Sequence, residues 1–191
     1  MNQTELDMVN SLLRVINESA VNEIDLGHPD IVHALSIWDE YSTEIQSFGW
    51  WFNRETWQLT AQTDGKVAIP TNVIAIDSPN SNYIKKGRYL YDMENHTYDF
   101  SDADTDDLEM PLLMFWEIDE LPPVMYNYIL AMCKAKMLND LAFDANKLKS
   151  LDADAQRRFF LVQKQQLRFG KPSAIGSPNA AELLQNQPSA R

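Results

Sequence analysis

Ile45-Gln46-Ser47-Phe48-Gly49-Trp50-Trp51-Phe52-Asn53 ends a long amphipathic helical pattern, turns at a glycine and leaves as an aromatic run. Glycine at such a turn can take the left-handed backbone that stops a helix without a Cβ clash. Phe48, Trp50, Trp51 and Phe52 bring large apolar area to the point where the chain changes direction. The expected result is a helix packed on a sheet through an aromatic corner. Its packing residues are expected to be Trp38, Phe48, Gly49, Trp50, Trp51, Phe52 and Trp116. By residue type alone this corner is core and carries no chemistry.

Upstream of it the spacing predicts two helices. Residues 4–18 place Leu6, Val9, Leu13 and Ile16 on one face, with Thr4 and Asp7 as a capping arrangement. Residues 30–48 carry a stripe of Ile31, Leu35, Trp38, Tyr41, Ile45 and Phe48, assigned to helix packing. Downstream the period changes to that of strands. Asp64-Gly65 reads as a hairpin turn between Leu59 and Val67, and Lys85-Lys86-Gly87-Arg88 as a second between Tyr83-Ile84 and Tyr89-Leu90-Tyr91. Val73 to Ile76 and residues 112–118 (LLMFWEI) read as further strands, the latter buried on both faces.

Helix resumes after Leu121-Pro122-Pro123, since proline suits a first turn. Residues 124–143 form a third helix, with Tyr128, Ala131, Ala135, Leu138 and Leu141 as its better apolar face. Residues 151–169 form a fourth, with Ala155, Phe159, Val162 and Phe169 facing in and Gly170 ending it. The remainder is rich in Pro, Ser, Gly and Gln. The expected fold is α+β: a four-helix bundle interrupted by a β-rich hairpin and sheet insertion, with an extended C-terminal tail. The expected division is a helical hairpin over 1–49, the insertion over 50–120, a second helical hairpin over 121–170 and a flexible tail over 171–191.

Composition bounds the function. At 191 residues, with 45% hydrophobic content and five tryptophans, the chain can bury one good core. No apolar run approaches the ~18–20 residues of a membrane span, and residues 1–18 lack the pattern of a secretory signal. The single cysteine, Cys133, falls inside a helical pattern, where a buried inert thiol is expected. The net charge of −12 is unevenly spread: residues 1–133 hold 23 acids and 6 bases, whereas residues 134–171 hold 4 acids and 9 bases. Such a chain is a poor general nucleic-acid binder, but its two signs suit contact with oppositely charged neighbours, including its own copies.

No catalytic or metal motif stands up. His28, His33 and His96 lack ligand spacing, and neither a phosphate loop nor a nucleophile elbow is present. Asp102, Asp104 and Asp106 imitate the start of a calcium loop, but Asp107 stands where glycine is needed and Leu113 where glutamate is needed. That cluster is read as a solvated loop or a negative partner-facing patch. The basic hairpin among Tyr83, Tyr89 and Tyr91 reads as a hairpin tip rather than a nucleic-acid surface. No cofactor is expected.

Three blocks, in this order, resemble the tail tubular protein A family of T7-like podoviruses. The first joins Val9-Asn10-Ser11-Leu12-Leu13 to Gln46-Ser47-Phe48-Gly49-Trp50-Trp51-Phe52-Asn53; the second is Tyr83-Ile84-Lys85-Lys86-Gly87-Arg88-Tyr89-Leu90-Tyr91-Asp92; the third is Asp119-Glu120-Leu121-Pro122 leading into a helix. The resemblance implies a non-enzymatic virion protein of the viral tail: a dodecamer ring that adapts portal to nozzle, assembled in the host cytoplasm. The implied partners are further copies of itself, the portal protein, the nozzle protein (tail tubular protein B), tail fibres, and DNA that passes without specific binding. Portal contact is expected at Arg157, Arg158, Lys164, Arg168, Lys171, Ile175, Leu183 and Leu184. Asp102, Asp104, Asp106 and Asp107 are expected to face the channel or a partner. Two other readings compete. One is a tail-associated polysaccharide hydrolase using an acidic pair; the other is a DNA-binding regulatory module using the basic helices.

Overall fold

The computed structural model describes residues 3–77, 82–102 and 108–170. Helix α1 (Gln3–Leu13) continues through a 3-10 turn (Arg14–Ile16) and a loop into α2 (Pro29–Ser47). Five strands follow: β1 (Arg54–Gln58), β2 (Val73–Ile76), β3 (Tyr83–Lys86), β4 (Tyr89–Asp92) and β5 (Glu109–Met114). Helices α3 (Pro123–Leu141) and α4 (Ala145–Phe169) complete the described chain. This is the α+β arrangement that the periodicity predicts.

Several boundaries differ from expectation for local reasons. The first helix stops at Leu13 rather than residue 18. Asn17 takes a left-handed φ of 65°, and the Glu18 N–H returns to the Leu13 carbonyl at 3.0 Å, the six-to-one bond of a helix terminator. The fourth helix begins six residues before its apolar pattern does. Asp144 caps it, its carboxylate accepting from the N–H groups of Asn146 at 2.9 Å and Lys147 at 3.0 Å. The strand expected over 112–118 instead spans Glu109–Met114, and Phe115 to Ile118 leave it as an irregular segment.

The apolar face expected of the third helix needs correcting. Met125, Ile129, Cys133 and Met137 are fully buried on one line, and Leu130, Ala131 and Leu138 are buried beside them, whereas Leu141 is exposed. Helix α3 packs against both α2 and α4, so it is covered on more than one side and has no single stripe to read. On α4, Ala155 and Val162 are buried as expected and Phe159 is half-buried, but Phe169 is exposed.

Strand β5 is the centre of a three-stranded antiparallel sheet of order β1-β5-β2, with Arg54 opposite Leu113 and Val73 opposite Met114. A bulge between Val73 and Ala75 shifts the second pairing. β3 and β4 form the expected hairpin, Lys86 opposite Tyr89, around Gly87 at φ 66°. The Asp64-Gly65 turn also forms, but the strands it joins are reduced to a single bridge between Ala61 and Val67. Two hydrophobic clusters result. One lies among the helices and the aromatic corner; the other is built from Leu59, Val67, Leu90, Phe100, Leu108 and Leu112 with their sheet neighbours. Trp116 packs against both and joins them.

Candidate interaction surfaces

At the aromatic corner the polar residues, more than the aromatics, set the geometry. Gln46 and Asn53 are both 0% exposed, and buried amides must find partners. The Gln46 carboxamide donates to the Trp116 carbonyl at 3.0 Å and to Ser42 Oγ at 3.0 Å, and accepts from the Trp116 N–H at 2.9 Å. Asn53 donates to the carbonyls of Gln46 and Met114, each at 2.9 Å, and accepts from the Trp50 N–H at 2.8 Å. The end of α2 is thereby tied to the exit of β5. The Trp50 indole N–H donates to the Ile45 carbonyl at 2.6 Å, and the Trp51 N–H reaches Gln166 Oε1 on α4 at 2.8 Å.

Gly49 turns the chain at φ 73°, and a Cβ there would lie 2.8 Å from Arg54 Nε. The guanidinium is committed, with Nε 2.8 Å from Asp77 Oδ2. Of the expected packing residues, Trp38, Trp50 and Phe52 are buried, while Trp51 and Trp116 are half-buried. Phe48 is a correction: it is 47% exposed, because the left-handed turn after it carries the following aromatics inward and leaves its own side chain on the outer face of α2.

Sequence reasoning missed a cleft of about 320 Å³ between α1, α2 and the segment leaving β5. Leu35, Trp38, Phe115 and Ile118 supply the apolar part of its lining, and Glu5, Asp39, Thr43 and Glu117 the polar part, three of these four being acidic. Partial desolvation raises the Asp39 carboxyl from its ordinary value, although the residue stays exposed. None of the three acids forms an ion pair with a described residue. Residues 5, 39 and 117 are far apart in the chain, so no local pattern could have joined them.

Helix α4 presents a second surface. Its outer face carries Arg157, Phe160, Leu161, Lys164, Leu167 and Arg168, with Phe160 61%, Leu161 54% and Leu167 86% exposed. This face was partly legible as an apolar pair placed between two bases one turn away on either side. The expected basic contact residues are not equivalent. The guanidinium of Arg158 is half-buried and bonded to Asp154 Oδ2 at 2.7 Å, whereas Arg157 is mostly exposed and only 3.9 Å from Asp154. Lys164 has no carboxylate partner among the described residues, and Arg168 lies over the Phe169 ring at 5.0 Å. Lys171, Ile175, Leu183 and Leu184 lie outside the described residues.

The remaining candidates are modest. Asp102 is exposed; Asp104, Asp106 and Asp107 lie outside the described residues. On the basic hairpin, Lys86 sits 4.0 Å above the Tyr91 ring and 5.8 Å from that of Tyr98, a cation–aromatic stack that joins the hairpin to the segment after β4. His33 Nε2 lies 3.2 Å from Asp140 Oδ2, and Lys136 donates to the same carboxylate at 2.9 Å. Lys136, and then His33, hold the Asp140 carboxyl below the usual range. Cys133 is fully buried with Sγ 3.8 Å from the Ile37 carbonyl, and burial pushes its thiol well up. No group of acidic, histidine or cysteine side chains among the described residues could hold a metal ion, and no described helix is long and apolar enough to cross a membrane.

A family model described as tail tubular protein matches residues 6–171 of this chain. The chain is also similar to the Tail tubular protein A of Klebsiella phage KP34. The two are 26% identical over 167 residues, which cover 86% of this chain and 87% of that protein.

Proposed function

The chain belongs to the tail tubular protein family, and on that premise we propose that it is the ring adaptor between the portal and the nozzle of a short phage tail. Membership makes it a structural component of the phage tail and not an enzyme. The observation that carries the adaptor reading is the extent of the match: residues 6–171 take in the aromatic corner, both hydrophobic clusters and all of α4.

In this reading copies of the chain close head to tail into a ring of about twelve, since a heterologous contact that closes gives a cyclic assembly. The ring seats the nozzle protein, supports tail fibres and leaves a channel for DNA. Assembly takes place in the host cytoplasm. Of the eight residues expected at the portal, we keep Arg168, Lys171, Ile175, Leu183 and Leu184 there; Arg158 is bonded to Asp154 within α4, and Arg157 and Lys164 are assigned below to a contact between copies. The acidic cluster Asp102, Asp104, Asp106 and Asp107 is assigned to the channel, where like charge keeps passing DNA from adhering.

The test is native mass, of the protein alone and mixed with the portal ring of its phage. A species heavier than the portal by about a dozen subunits of 22.0 kDa supports the reading. A monomer or dimer that leaves the portal unchanged overturns it.

A further inference from the structure

Two surfaces have complementary chemistry and lie on different sides of the molecule. The cleft between α1 and α2 combines apolar side chains with the carboxylates of Glu5, Asp39 and Glu117. The outer face of α4 is its converse. Phe160 and Leu161 stand well out into solvent, with Arg157 one turn before them and Lys164 one turn after. Apolar groups at the centre and charges around them are the general anatomy of a protein–protein contact, and opposite signs across it set register and partner choice.

Within one copy these surfaces cannot meet. Helix α4 turns its buried side, Ala155 and Val162, toward α3, so Phe160 and Leu161 point away from the bundle that contains the cleft. We propose that the cleft of one copy receives Phe160 and Leu161 from α4 of the next copy. Arg157 and Lys164 then face the acids of the cleft. The contact joins two different patches and is therefore heterologous, the type that propagates around a ring.

The chain's own C-terminal stretch is a poorer occupant. Its apolar pair Leu183-Leu184 follows Glu182, which would add a fourth acid to the three already at the cleft. This inference rests on the ring reading but is narrower, since it names the surfaces that meet.

The test uses the full chain with one cysteine on each surface, Thr43→Cys at the cleft and Leu161→Cys on α4. The native Cys133 is buried and stays silent. Each variant is first weighed with the portal ring, and its helix content compared with that of the unaltered chain. The double variant, joined to the portal and oxidised, is expected to give a ladder of covalent multimers. Each single variant alone should stay monomeric on a denaturing gel, and a one-to-one mixture of the two singles should add only dimers. A double variant that joins the portal but gives no ladder overturns the inference and leaves the ring reading standing. Cross-linked dimers from Leu161→Cys alone overturn it too, because they would make the contact two-fold. An unaltered chain that ignores the portal removes both.

As a second check, Lys164→Glu should weaken ring assembly on the portal about tenfold or more, and Glu117→Lys in the same chain should recover part of that loss. Equal assembly by all three forms overturns the pairing.

Discussion

The Asn53 carboxamide makes its three hydrogen bonds at 0% exposure, to the backbones of Gln46, Trp50 and Met114. Truncation strands two carbonyls and an N–H in a dry site. Asn53→Ala is therefore expected to cost about 3 kcal/mol, read as a shift in the urea midpoint at unchanged slope. Phe48→Ser, one turn away but exposed, should stay within about 0.5 kcal/mol. A reversal of that order would show that the aromatics, and not the amides, hold the corner. Asp140 gives a second prediction. Lys136 and His33 hold its carboxyl below the ordinary range, so the native state binds that proton less readily than the unfolded chain. The resulting stability is complete above about pH 4 and is lost as pH falls through the lower folded value. Asp140→Asn should flatten the acid limb of stability against pH, and a limb as steep as that of the unaltered protein would remove this role. The sequence shows an amphipathic helix, a glycine and aromatics. It does not distinguish Gln46 and Asn53 from any surface amide, because the partners that bury them, Trp116 and Met114, lie across the fold.

Helix α4 shows how far element boundaries can be read. Its apolar pattern becomes clear at Leu151, but the helix begins at Ala145, since Asp144 satisfies two backbone N–H groups that would otherwise lack partners. Asp144→Ala should cost about 1 kcal/mol and raise amide exchange selectively in residues 145–148. Uniform exchange along α4 would mean that the cap does not set its start. Asn17 ends the first helical segment by the same kind of local chemistry. The signals for both were present in the sequence as Asp and Asn at helix borders, overshadowed by hydrophobic spacing. Helix α3 is different, because its burial on several sides comes from α2 and α4 and leaves no period to detect. Strand β5 likewise ends at Met114 because Trp116 turns to bond Gln46.

At the scale of the whole molecule, one helical cluster and one sheet cluster are joined through Trp116 and the Gln46–Asn53 bonds. Residues 171–191 offer only Ile175, Leu183 and Leu184 as large aliphatic side chains. Deleting them should move Tm by less than about 2 °C while abolishing docking to the portal. A collapse of helix content on deletion would overturn that division of labour. Local chemistry in the chain determined the α+β class, the helix–glycine–aromatic corner, the β3–β4 hairpin and the uneven charge, because each depends on residues close in sequence. Tertiary structure alone decided which side of α3 is buried, that Trp116 bonds Gln46, and that Glu5, Asp39 and Glu117 line one cleft, because those outcomes depend on which distant segments pack together. The corner illustrates both. Gly49 announces the turn, but the amides that fix its direction bond to strand and loop backbone as much as 70 residues away.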